Sequence, residues 1–269
     1  MGVETGIKWT DSTYNSWWGC TKVEGAIACA DCYAEGVDKR TGENHWGHGV
    51  PRRRLSDHAR NEPLRWQRNA DKFFEANGRR QRVFTLSMGD LFDKEVSDAW
   101  RFDHLEVMER CDKLEWQICT KRLPQVRKMI PAHWDPKYGG KWPAHVGVII
   151  TVVTQAEADR DCARLLDIKE DLGIPWVGIS YEPAAEFINW IEWVDGSLRN
   201  GIALDWIIFG GKSGPKWNSQ PFSLEWARST RDQCAWAGCA FFMKQAAAFR
   251  PTDAMIPNDL MIRQWPEGH

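Results

Sequence analysis

Past residue 80 the chain alternates short apolar runs with stretches of helical period. The apolar runs are 82–88 (R-V-F-T-L-S-M), 116–120 (W-Q-I-C-T), 146–152 (V-G-V-I-I-T-V), 176–181 (W-V-G-I-S-Y), 206–210 (W-I-I-F-G) and 240–244 (A-F-F-M-K). They are nearly continuous rather than alternating, which is the pattern of strands buried on both faces of a parallel sheet. An earlier strand is expected near 7–9. Helices fit between the runs. Ser97 opens one that places Phe102, Leu105 and Met108 on one face. Thr154 and Glu157 form a capping box for a second, with Cys162, Leu165, Leu166 and Leu172 inward and Gly173 as its stop. Ser223 starts a third, which runs to about Ala237. Repeated β-α units predict an α/β fold with right-handed crossovers, here a full or partial (β/α) barrel.

At 269 residues the chain is expected to form a single barrel domain over 1–269. Residues 36–81 break the alternation. They are rich in Arg, Gly, His and Asn, and read as an irregular excursion with short helices near Ser56 and Asp71. Apolar content of 43% and charged content of 27% fit a globular protein. The formal charge of −2 gives no sign of a strongly basic or acidic partner. No stretch approaches the ~20 apolar residues of a membrane span, and the start M-G-V-E-T-G-I-K-W lacks an apolar signal core. A cytoplasmic protein without a membrane partner is therefore expected. In that reducing compartment the eight cysteines should not form structural disulfides. The 17 tryptophans are expected to line a core or a pocket for a planar ligand.

Candidate chemistry concentrates in Cys20, Cys29 and Cys32, spaced C-x8-C-x2-C. Three readings compete. As free cysteines they could be small buried apolar groups. As Cys29-x2-Cys32 they form half of a zinc site, with His45 or His48 available as a fourth ligand and a closed structural role. As three thiolates on one loop they suit an iron–sulfur cluster that keeps one iron open to a small molecule. A zinc deaminase fits less well, because no proline precedes Cys29.

The local sequence C-x-x-C-Y-A resembles the cluster loop of radical S-adenosylmethionine (SAM) enzymes, closest to the spore photoproduct lyase branch. The whole chain resembles a phage-associated family of three-cysteine-motif proteins. The pieces that carry this resemblance run in order. They are W-T-D-S-T-Y-N (9–15), G-C (19–20), C-A-D-C-Y-A-E (29–35), S-M-G-D-L-F (87–92), T-K-R (120–122), Y-E-P (181–183), G-G-K-S-G (210–214), and R-D-Q-C with F-F-M-K-Q (231–245). Two positions depart from the family pattern: Tyr181 stands where I-E-P is usual, and Lys212 where G-G-E-S-G is usual. The eight-residue first gap is wider than the superfamily's usual spacing.

The resemblance implies that Cys20, Cys29 and Cys32 hold a [4Fe-4S] cluster and that SAM is bound on it. Asp90 or Ser87 would meet the SAM amino group, and Met88 beside them would line the cofactor site. Thr151, Glu182 and the turn with Gly210, Gly211 and Ser213 would place its ribose, adenine or carboxylate. An electron donor would supply the electron that cleaves SAM to a 5′-deoxyadenosyl radical. Lys121 and Arg122 would hold an anionic substrate group, and Cys119 or Tyr181 would return a hydrogen atom. All of these fall at the ends of the expected strands, where α/β barrels carry their chemistry. The substrate class it suggests is a nucleic acid base or a nucleotide. Arg52–Arg54, Arg60, Arg65 and Arg68 would then face phosphates and Trp46 and Trp66 would stack on bases. The competing class is a non-catalytic, zinc- or iron–sulfur-stabilised phage protein that binds a phage or host partner protein.

Overall fold

The computed structural model describes residues 5–250, 252 and 254–268. In chain order its regular elements are β1 (Ser12–Tyr14), β2 (Trp17–Trp18), α1 (Ile27–Ala30), α2 (Tyr33–Arg40), β3 (Arg53–Arg54), α3 (Asp57–Arg60), α4 (Glu62–Asn77), β4 (Arg82–Thr85) and α5 (Asp98–Arg110). There follow β5 (Glu115–Thr120), α6 (Val126–Met129), β6 (Val146–Thr151), α7 (Gln155–Leu172), β7 (Val177–Tyr181), α8 (Ile191–Val194), β8 (Trp206–Gly210), α9 (Leu224–Ala237) and β9 (Ala240–Gln245). The main sheet has seven strands in the order β1-β4-β5-β6-β7-β8-β9. Strand order follows chain order, the topology of a partial (β/α) barrel, and the fold class is α/β. Among the described residues no helix is long and apolar enough to cross a membrane.

The chain divides into two compact units. The first comprises the chain up to Val148 with Leu172–Pro175. There β1 pairs in parallel with β4 (Ser12↔Val83, Tyr14↔Thr85), and β4 with β5 (Val83↔Trp116). A small antiparallel pair, β2 with β3, sets Trp17 against Arg54. The second unit comprises Ile149–Asp171 and Trp176–Gly268. There β7, β8 and β9 run parallel (Gly178↔Trp206↔Ala240), with a register shift between Phe209 and Gly210. The outer edge of β9 is covered by the C-terminal segment, whose Ile262 carbonyl accepts from the Met243 amide and whose Gln264 amide donates to the Phe241 carbonyl. Covering an edge this way removes a template for unwanted pairing.

The six apolar runs all form strands, and the capping signals hold. Ser97 accepts from the Trp100 amide, Thr154 from the Glu157 amide, and Ser223 from the Glu225 amide. Glu157 in turn accepts from the Val153 amide. Three local expectations need correction. The first strand is Ser12–Tyr14, not 7–9: Trp9 packs its ring on Phe84 from a turn instead. Asp71 lies inside the long helix α4 rather than at the start of a short one. Phe102 is 45% exposed. The inward face of α5 is Arg101, His104, Leu105 and Met108, because Arg101 turns in to donate to the carbonyls of Leu91, Asp93 and Val96.

The tryptophans are mostly core. Trp116, Trp134, Trp142, Trp176, Trp190 and Trp206 are fully buried. Several satisfy their indole N–H on backbone carbonyls, Trp116 on Cys111, Trp142 on Val146 and Trp206 on Gln264. The indole N–H of Trp134 has no such partner, and its ring packs on Trp142 at 5.3 Å, so the tryptophans serve packing first.

Candidate functional site

Within the first unit the cysteine loop is held against the ends of β4 and β5. After Tyr14 the chain leaves β1, and Asn15 reaches across: its Oδ1 accepts from the Met88 amide at 2.8 Å and its Nδ2 donates to Ser87 Oγ at 3.0 Å. Leu86 turns the chain off β4 with a left-handed φ of 57°. Such a conformation costs a non-glycine residue on the order of 1 kcal/mol and persists only where the surroundings enforce it. The Gly19 amide then donates to the Met88 carbonyl at 2.9 Å. Gly19 itself has φ +112°, and a Cβ there would lie 2.4 Å from the His45 carbonyl oxygen, so no other residue fits.

Cys20 follows directly. It bridges to Trp46 and packs with Cys32 against Ala34, Trp46 and Met88. Cys29 lies in α1, and Cys32 is the residue that starts α2. The next residue, Tyr33, donates from its hydroxyl to the Ser87 carbonyl at 3.2 Å, which ties α2 to the same turn. All eight cysteines are free. Cys20, Cys29, Cys32 and Cys119 are partly exposed, whereas Cys111, Cys162, Cys234 and Cys239 are buried. The division separates the cysteines that can meet a ligand from those that pack.

The end of β5 faces this loop. Asp90 is buried, and its carboxylate accepts from Thr120 Oγ1 (2.9 Å), the Phe92 amide (3.0 Å) and the Lys121 amide (3.1 Å). It therefore clamps the β4 turn to the β5 turn. Asp93, also buried, accepts from the Thr21 amide and from Arg52 Nε and Nη2, and its Oδ1 lies 3.6 Å from Arg122. Arg122 donates to the Thr21 carbonyl and reaches Cys20 Sγ at 3.8 Å.

Electrostatics follow this packing. Burial pushes the Cys20 thiol well up, reinforced by Asp90 and opposed by Arg122. Burial pulls the Lys121 ammonium down, but Cys119, Cys29, Asp90 and Cys32 around it outweigh that and leave it raised. Arg122 is raised in the same manner, with Asp90 and Cys20 as the leading opponents of burial. Lys121 thus sits within electrostatic reach of Cys29 and Cys32, and Arg122 within reach of Cys20 and Cys29. The sulfurs do not close into a ligand set: among the described residues no group of three or more His, Cys, Asp or Glu side chains is arranged to hold a metal ion. The donor chemistry fits an iron–sulfur cluster nonetheless. Three free thiols on one loop supply the thiolates such a cluster needs, and Lys121 and Arg122 offset the negative charge those thiolates bring. His45 and His48 are engaged elsewhere, with Asp38 at 2.8 Å and Glu95 at 2.7 Å.

In the second unit another polar group gathers at the ends of β7, β8 and β9. Glu182 Oε1 meets Lys244 Nζ at 2.5 Å, and Ser180 Oγ donates to Glu182 Oε2 at 3.2 Å. A Cβ on Gly210 would lie 2.4 Å from Glu182 Oε1, so this glycine makes room for the carboxylate. Gly211 is equally constrained by the Ala247 amide at 2.3 Å, and its carbonyl accepts from Gln245 Nε2 at 2.9 Å. Thr151 is half-buried at the end of β6, and Ser213 is exposed and bridges to Ala248. Tyr181 is fully buried against Trp190 and Phe209, and its hydroxyl donates to the Glu186 carbonyl.

The first unit therefore brings together Cys20, Cys29, Cys32, Ser87, Met88, Asp90, Lys121 and Arg122, with Cys119 in range of Lys121. The second brings together Glu182, Gly210 and Gly211. Sequence reasoning missed Asn15, Asp93 and the pairing of Lys244 with Glu182, although all lie within or beside the ordered motifs. It also misread Arg52, Trp46 and Trp66. Arg52 is buried on Asp93 and on the carbonyls of His45, Gly47 and Val50, and both tryptophans are core residues. They present nothing to a nucleic acid.

A family model described as "Protein of unknown function (DUF5131)" matches residues 4–264. No curated protein matches the chain. Among solved structures, a cysteine-to-serine mutant of spore photoproduct lyase aligns at 11% identity and a TM-score of 0.43, covering 78% of this chain and 58% of its own. A second mutant of that lyase, with bound AdoMet and dinucleoside spore photoproduct, aligns at 12% identity and a TM-score of 0.41, covering 82% and 60%. The chain thus spans less than two thirds of the length of these structures.

Proposed function

The chain belongs to the DUF5131 family, and we propose that it is a radical SAM-type iron–sulfur enzyme that acts on a nucleic acid base or a nucleotide. The observation that carries the reading is the convergence of three free, partly exposed cysteines with Lys121 and Arg122 at the C-terminal ends of parallel strands. Polar groups held there are hard to explain as folding needs alone, and strand ends are where α/β barrels act.

Cys20, Cys29 and Cys32 would hold a [4Fe-4S] cluster, which when bound supplies the electron that cleaves SAM and so opens radical chemistry. This chain's residues then bind and orient. Arg122 and Asp93 fix the Thr21 backbone beside Cys20. Asn15 and Tyr33 fix the Ser87–Met88 turn beside the cysteine loop. Asp90 holds Thr120 and the Lys121 backbone in place, and so fixes the residue whose ammonium is within electrostatic reach of Cys29 and Cys32. Cys119 lies within electrostatic reach of that ammonium and is the candidate hydrogen-atom donor. Tyr181 is a weaker candidate, because its hydroxyl is committed to Glu186. Within the second unit, Glu182 and Lys244 form a paired carboxylate and ammonium suited to a ligand's polar groups.

The test is anaerobic purification followed by measurement of iron, sulfide and zinc. About four irons and four sulfides per chain, with SAM cleaved on reduction, is the expected result. One zinc and no iron would overturn the reading in favour of a closed structural site. A Cys29→Ala protein that keeps its full cluster would refute the ligand assignment.

A further inference from the structure

Trp18 stands beside the cysteine loop, and its side chain makes none of the hydrogen bonds that hold that loop. It ends β2, where it pairs with Arg53 of β3. Gly19 and Cys20 follow at once and bridge to Gly89 and Trp46. The Trp18 ring is half-buried. It packs against Ala34, Trp46 and Met88, the same three residues on which Cys20, Cys32 and Val37 pack. The Arg53 guanidinium lies over the ring at 5.5 Å and helps to hold its plane. The indole is therefore held in place within the group of side chains that carries two of the three loop cysteines.

The indole N–H of Trp18 is buried and has no hydrogen-bond partner. A buried donor left unmade gives up its hydration for nothing, and buried indoles usually find an acceptor. Trp17 and Trp134 lack one as well, but their rings pack on other rings, Trp17 on His104 and Trp134 on Trp142. The neighbours of Trp18 are of another kind. Among the side chains grouped with it, the acceptor atoms are all sulfurs, those of Cys20, Cys32 and Met88. A thiol or thioether sulfur accepts only weakly. A thiolate or a cluster sulfide carries negative charge, and hydrogen bonds to charged acceptors are the stronger ones.

We propose that the Trp18 indole N–H donates to a sulfur of the iron–sulfur cluster that Cys20, Cys29 and Cys32 would hold, and so sets how readily that cluster takes up an electron. This deepens the iron–sulfur reading and rests on it. Hydrogen bonds to cluster sulfurs are among the levers by which a protein tunes reduction potential. Such a donor favours the reduced state, because reduction adds negative charge to the cluster and its sulfurs. Trp18 thereby acts on the cofactor through a neutral donor, while Lys121 and Arg122 act through charge.

The test uses the full chain, purified without oxygen and measured without SAM. Tryptophan isotope-labelled at the indole nitrogen gives the direct signature. After one-electron reduction, pulsed EPR of the unaltered chain should show a nitrogen coupling to the cluster, and Trp18→Phe should lose it. A redox titration followed by EPR gives the second readout. At a fixed potential Trp18→Phe should lower the reduced-to-oxidised ratio about tenfold, a fall of about 59 mV for one electron. Trp134→Phe removes another unpartnered indole N–H and is the control, which should change neither readout. Should Trp18→Phe fail to load, the coupling in the unaltered chain decides: its presence supports the proposal and its absence overturns it. Iron and sulfide measured on the same preparations keep the two ideas apart. A loaded chain without the coupling, or a Trp18→Phe chain that keeps both coupling and potential, overturns the role of Trp18 and leaves the cluster standing. Zinc without iron overturns both.

Discussion

His104 gives a sharp test of the packing beneath the cysteine loop. It lies on the inward face of α5, fully buried, with Nδ1 against Ser16 Oγ at 2.7 Å and Nε2 against Thr85 Oγ1. Tyr14 stacks on its ring at 4.6 Å. Each nitrogen meets a hydroxyl, so the neutral ring, accepting at one nitrogen and donating at the other, has both of its partners. Burial lowers its pKa from 6.5 to about 3. The folded pKa is depressed, so below 6.5 the unfolded chain takes up a proton that the folded chain refuses. The stabilisation is whole above pH 6.5 and is lost progressively as pH falls toward 3. Each pH unit in that window costs about 1.4 kcal/mol, so moving from pH 7 to pH 5 should cost about 2 kcal/mol from this residue alone. Urea unfolding at a series of pH values reads it. His145 is depressed in the same direction, by burial, so the His104 share must be isolated by comparison with His104→Gln. That variant should be less stable at pH 7, with a flatter fall between pH 7 and pH 5. If the two proteins lose stability in parallel over that range, the buried neutral histidine is not what makes the fold acid-sensitive.

Three further outcomes follow from the site geometry. Asp93→Ala leaves the buried Arg52 with only the part-exposed Glu95 as a carboxylate partner, at 3.3 Å, and should cost about 1–3 kcal/mol in urea unfolding; it should also speed the reaction of Cys20 with a thiol reagent, since Thr21 loses its anchor. Gly210→Ala drives a methyl into Glu182 and should destabilise by about 1–3 kcal/mol, while Gly6→Ala, with open space around its Cβ and no positive φ, serves as the comparison. Asp90→Ala should keep its iron but slow reductive SAM cleavage by up to about 10²-fold, because a small displacement of Lys121 and Thr120 misplaces bound groups; unchanged cleavage would refute the positioning role.

The strands from β4 onward were legible because a strand buried on both faces must be apolar along its whole length. β1 was not, because Ser12, Thr13 and Tyr14 are largely polar and earn their place through pairing with β4; the apolar Trp9 drew the eye instead. Phe102 and Arg101 exchanged roles for a similar reason. Arg101 is buried to satisfy three loop carbonyls, a long-range need that helical spacing does not display. At the site, the cysteines, Asp90 and Glu182 were legible as motif residues, and their partners were less so. Arg52 meets Asp93 across 41 residues, and an arginine run looks like a solvated or phosphate-binding segment until its partner is placed.

The partners change what the motif residues can do. Asp90 spends its carboxylate on Phe92, Thr120 and Lys121, Ser87 bonds Asn15, and Glu182 is shared between Ser180 and Lys244. A group already hydrogen-bonded within the protein loses those bonds if it turns to a ligand, and leaving buried donors unmade costs about 1–3 kcal/mol each. These residues therefore act first by fixing backbone, and the surfaces they fix, namely the Ser87–Met88 turn, the Lys121 ammonium and the partly exposed thiols, are what a ligand would meet. It follows that substitutions at Asp90 or Glu182 should perturb stability together with turnover, whereas Lys121→Met should reduce ligand binding with little change in unfolding free energy. Finding the reverse pattern, with Lys121→Met destabilising and Asp90→Ala neutral to folding, would invert this division of labour.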